Sequence, residues 1–99
     1  MPNAGNKTVS SHSLDELKGW SRPLLQLDEE EFYAKIKKRF INIAGAFSPS
    51  ATIKIVKDLA VSRGFGPRES DRLASAARWL SMVLRDYGQS EFDKLTKEK

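Results

Sequence analysis

Apolar residues recur along this chain at spacings of three and four, the period of helices that bury one face. The clearest run is Phe32, Tyr33, Ile36, Phe40, Ile43 and Phe47, which falls within one arc at about 100° per residue. That arc is strongly aromatic and is expected to be buried. Ala34, Ile41 and Gly45 form a smaller strip on the other side, so this helix should touch neighbours on two sides or leave an apolar seam open. Ile53, Ile55, Val56, Leu59 and Ala60 mark the inner face of the next helix, with Lys54, Lys57 and Asp58 pointing outward. Leu73, Ala76, Ala77, Leu80, Val83 and Leu84 mark the inner face of another. On its opposite side stand Arg68, Asp71, Ser75, Arg78, Met82 and Arg85, with Arg72 beside Trp79 on the flank. No strand-like alternation and no internal repeat appears.

Start and stop signals bound these periods. Ser13-Leu14-Asp15-Glu16 has the form of a capping box and opens a short first helix to about Trp20, whose ring is expected to plug the bundle. Ser21-Arg22-Pro23 should end it, because a residue before proline is pushed out of the helical region. Leu24, Leu25 and Leu27 then read as an apolar connector. Asp28, with Glu31, caps the second helix, and Ser48-Pro49 opens the third with proline at the first helical position. Gly64 suits a left-handed close, with Phe65 folding back, and the fourth helix starts between Pro67 and Ser70 and stops at Gly88. Ser90 with Asp93 caps a short fifth helix carrying Phe92 and Leu95, whose charged end frays. Residues 1–12 are polar and aperiodic and read as a disordered tail. The expected fold is all-α: a small compact bundle of four to five helices over residues 13–97, with a flexible N-terminal tail.

Composition narrows the chemistry. With 99 residues, 39% apolar and 30% charged, the chain suits one soluble globular domain. It has no cysteine, which excludes disulfides, thiolate catalysis and Cys-ligated metal. No apolar run is long enough to span a membrane, and Met1 to Ser13 lacks the apolar segment of a secretory signal. A reducing compartment, cytoplasmic or nuclear, is therefore expected. His12 is the only histidine and lies in the tail, so the usual nucleophile–base pairs have no members. Asp28 to Glu31 are consecutive and fan around a helix instead of converging on a metal. Gly64-Phe65-Gly66-Pro67 lacks the spacing and lysine of a phosphate loop. The reading is a non-enzymatic binding module with no cofactor, no metal and no small-molecule substrate; self-association stays open.

The net charge of +4 directs attention to an anionic partner. Arg68, Arg72, Arg78 and Arg85 lie along about three turns of the fourth helix, and arginine forks match phosphates. Lys54 and Lys57 flank them, and Trp79 beside the row can stack on a base or anchor a protein interface. Lys35, Lys37, Lys38 and Arg39 make a second basic ridge, balanced by the acidic block at 28–31. These residues point to a regulatory nucleic-acid-binding module; the alternative is an adaptor or inhibitor that docks a larger protein through Trp79, Met82, Val61 and the Ala34–Ile41 strip. The segment from Val56 to Leu73 partly resembles a helix-turn-helix DNA-binding unit, with Ala60 at the crossing, Gly64 at the turn, and Phe65 and Leu73 as apolar anchors. Ser70 stands where that pattern wants an apolar residue and Gly66-Pro67 distorts the turn; a plain helical hairpin explains the same residues, and the family is not assigned. Contiguity decides between the partners: an unbroken positive surface favours nucleic acid, an apolar patch around Trp79 favours protein.

Overall fold

The computed structural model describes residues 12–27 and 31–97. They form five helices: α1 (Leu14–Leu25), α2 (Glu31–Ala46), α3 (Pro49–Ser62), α4 (Pro67–Tyr87) and α5 (Gln89–Thr96), with no strand among the described residues. The all-α bundle expected from the periodicity is the fold of the chain. Residues 1–11 of the expected tail, the Asp28–Glu31 capping box, the ring of Phe32 and residues 98–99 lie outside what is described; His12, assigned to the tail, is described.

Local chemistry sets most helix ends. Ser13 Oγ accepts from the Glu16 amide at 3.1 Å while Glu16 Oε1 accepts from the Ser13 amide at 3.0 Å, a complete capping box. Ser48 Oγ accepts from the Ala51 amide at 3.3 Å, and Pro49 occupies the first turn of α3. At the end of α3 the Phe65 amide donates to Ala60 O and the Gly64 amide to Val61 O, with Gly64 at φ 96°. That pair of bonds is a Schellman close, and it turns Phe65 back onto the core. Gly88, at φ 101°, stops α4 and also begins α5, so Ser90 sits inside the first turn of α5 and is not its cap.

One boundary departs from expectation. α1 runs past Trp20, through Pro23, to Leu25. A proline inside a helix costs about 3 kcal/mol, less in a last turn where few bonds remain to be lost. Leu24 is fully buried and Leu25 packs on the same cluster; burial of a leucine contributes about 1.5–3 kcal/mol, which offsets that cost. Tertiary burial overrides the local stop signal.

The core joins all five helices. Leu24, Ile36, Phe40, Val56, Leu73, Leu80 and Phe92 form its main cluster, and Leu17, Met82 and Val83 a smaller one. α4 touches each of the other four helices and is the central rod. Its alanines at 74, 76 and 77 are buried and allow neighbours close approach. α3 lies antiparallel along it: Lys57 meets Asp71 near the turn, while Pro49 lies beside Leu84 and Arg85 at the far end. The two therefore form a closed hairpin, unlike the open crossing of a helix-turn-helix, where contact is confined to the region of the turn. Ser70, the misfit in that comparison, is buried with its hydroxyl donating to Phe65 O at 3.4 Å.

Three side chains lie elsewhere than expected. Met82, assigned to the outer polar side of the fourth helix, is 8% exposed because α1 lays Leu17 over that flank. Phe47 is 48% exposed: it lies past the end of α2, where its carbonyl, not its ring, is engaged. Trp20 does not plug the bundle; it is 40% exposed and rests on Trp79.

Candidate binding surfaces

The arginine row of α4 does not form one positive surface. Arg72 Nη1 lies 3.6 Å from Glu69, and Arg85 Nε donates to Asp86 Oδ1 at 3.0 Å. Lys57 Nζ sits 3.0 Å from Asp71, in the middle of the row. Arg78 is half-buried, its guanidinium 4.4 Å from the Trp79 ring centroid, a cation–π contact. Lys54 and Arg68 are exposed and have no ion pair among the described residues. Helix periodicity accounts for part of the break: Asp71 shares a stripe with Arg78 and Arg85, and Asp86 stands beside Arg85.

A groove of about 400 Å³ opens between α1 and α4, lined by Gly19, Trp20 and Pro23 on one side and Asp71, Arg72, Ser75 and Trp79 on the other. The rings of Trp20 and Trp79 lie 4.7 Å apart, tilted by 51°. His12 meets both edge-on, at 4.9 and 5.3 Å, and its carbonyl accepts from the Tyr87 hydroxyl at 2.7 Å. Such edge and tilted pairings suit the charge distribution of aromatic rings. An apolar patch around Trp79 thus interrupts the cations of α4.

The second ridge is different in kind. Ile36, Phe40 and Ala44 turn α2 towards the core, which leaves Ala34, Lys35, Lys38, Arg39, Asn42, Gly45 and Ala46 exposed. No aspartate or glutamate occurs between Glu31 and Asp58, so nothing acidic interrupts this face along the helix. The apolar strip of Ala34 and Ile41 is partly covered by α5: Phe92 packs so near Gly45 that a Cβ there would lie 3.2 Å from its ring. What stays open is a groove of about 420 Å³ whose rim carries Lys37, Lys38 and Lys97, with Asn42 and Thr96 beside them. The acid-free run was visible in the sequence, but its significance depends on knowing which half of α2 faces the core.

Among the described residues no three His, Cys, Asp or Glu side chains converge as a metal site requires, and no helix is long and apolar enough to cross a membrane. No family model matches the sequence, and no curated protein or solved structure is significantly similar to it.

Proposed function

We propose that the chain is a non-enzymatic nucleic-acid-binding module whose contact element is α2. The observation that carries this reading is the exposed half of that helix, where Lys38, Arg39 and Asn42 stand together on a stretch with no aspartate or glutamate between Glu31 and Asp58. From Lys35 to Asn42 the ridge runs about 10 Å along the axis, and a major groove about 12 Å wide admits one helix. Lys35, Lys38 and Arg39 neutralise phosphates, with Lys37 and Lys97 at the edge of the footprint. Asn42 has the paired donor and acceptor that match an adenine edge. Ala34 and Ala46 are small and exposed and leave the helix backbone room to approach. The narrow major groove of duplex RNA does not admit a helix, so the substrate is duplex DNA.

The test is fluorescence anisotropy with a labelled mixed-sequence DNA duplex, repeated over a range of salt. Four or so phosphate contacts give a log–log salt slope of about −3 to −4. The Lys38→Glu, Arg39→Glu double variant should lose binding by at least tenfold, while Arg72→Glu should change it less than twofold. Absence of binding at low salt, or binding abolished by Arg72→Glu and spared by the α2 pair, overturns the assignment.

A further inference from the structure

We infer that the groove between α1 and α4 is a separate docking site for an acidic protein segment bearing one large apolar anchor. Its apolar lining is presented, not hidden: Trp20 is 40% exposed, Trp79 is half-buried, and Pro23 continues the surface. Gly19 keeps the space above α1 open, since no atom lies within 4 Å of where its Cβ would stand. A tryptophan pair with arginine beside it is the residue chemistry that carries most of the energy in protein interfaces.

Charge selects the occupant. Arg78 is held on the Trp79 face and has no carboxylate partner among the described residues. Arg72 stands at the mouth with only an exposed contact to Glu69, the sort of surface pair worth at most about 1 kcal/mol. Asp71, the acid in the lining, is engaged by Lys57. An incoming carboxylate therefore meets Arg72 in the lining, with Arg78 outside the lining but held against the ring of Trp79. A phosphate backbone fits less well than a protein, because the groove is lined by two indoles and a proline that one apolar anchor suffices to cover.

The site is independent of α2. Leu73 and Leu80 of α4 share the core with Ile36 and Phe40 of α2, while Ser75, Trp79 and Arg72 lie on the flank that meets α1. The two surfaces occupy different sides of the central rod, so one chain can hold DNA and an acidic partner together.

The experiment is selection of a random peptide display library on the full chain, followed by titration of the enriched synthetic peptide. Trp20 and Trp79 are the two tryptophans of the chain, so intrinsic fluorescence reports the groove directly. The expected consensus places an aromatic residue or leucine next to aspartate or glutamate, and binding should shift the emission. Trp20→Ala and Arg78→Glu should each weaken binding at least tenfold. Gly19→Leu, which fills the groove without removing a contact, should do the same in a protein whose circular dichroism is unchanged and whose melting temperature does not fall. The Lys38→Glu, Arg39→Glu variant should bind the peptide as the wild type does, and this arm reads the groove whether or not α2 binds DNA. No consensus, a basic consensus, insensitivity to Gly19→Leu and Arg78→Glu, or displacement of the peptide by duplex DNA overturns the inference.

Discussion

The Ser81 hydroxyl donates to the carbonyl oxygen of Phe47 at 2.9 Å, across 34 positions of chain. The same carbonyl accepts from Thr52 Oγ1 at 3.3 Å, and both hydroxyl side chains are buried. One oxygen therefore pins the α2–α3 turn to the middle of α4. Ser81→Ala leaves Thr52 as the remaining donor and should cost about 1 kcal/mol, a fall in Tm of about 4–8 °C for a domain of this size. Adding Thr52→Val should cost more than the sum of the single changes, since the carbonyl then loses both donors. Urea titration of the four proteins of the cycle measures this, and strict additivity would show that the two bonds act separately.

Two glycines should respond in opposite directions to alanine. Gly64 closes α3 at φ 96°, a conformation that a Cβ disfavours, so Gly64→Ala should lose about 1 kcal/mol. Gly19 lies inside α1 with open space around it, and Gly19→Ala should gain up to about 1 kcal/mol from helix propensity. Thermal melts of both variants are the check.

Met82 gives a sharp test of how α1 packs. On an outer polar face its truncation would be silent; beneath Leu17 it should cost about 2 kcal/mol or more. Val61→Ala, at an exposed position of α3, should stay within about 0.5 kcal/mol. Equal, small effects at the two sites would show that α1 is not seated on that flank.

The α4 arginines should not be equivalent in stability. Arg85 pairs with Asp86, whose side chain is only 8% exposed, so Arg85→Ala strands a poorly hydrated carboxylate and should cost about 1 kcal/mol. Arg72 pairs with an exposed Glu69 and its removal should be near neutral. Chemical denaturation at moderate ionic strength distinguishes them, and equal effects would mean that burial of Asp86 contributes nothing.

What could be read along the chain was what neighbours in sequence decide. The Ser13–Glu16 box, the Ser48-Pro49 start, the Gly64 close and the Gly88 stop each depend on residues within a few positions, and each has its expected role. Periodicity also gave the inner arcs of α3 and α4. It could not say how many helices land on α4, because a flank bearing Ser81 or Met82 reads as polar or mixed whichever way it faces. Pro23 departs from its local signal for the same reason: the stop it favours is outweighed by the burial of Leu24, which only the folded core supplies. At the sites, the arginine spacing was visible, but the acids that divide it include Lys57's partner Asp71, an ion pair between helices that no periodicity reveals. The value of Lys38 and Arg39 emerged only once Ile36 and Phe40 fixed the dry side of α2.

Because α1, α2, α3 and α5 all lean on α4, synthesis order has a cost for this protein. A ribosome releases the first three helices before residues 67–87 exist to receive them, so their apolar sides wait uncovered in the growing chain. Cleavage or a stop codon in the Gly64–Gly66 turn would leave that half without a support, exposed to chaperones and proteases, and would not yield a smaller working domain.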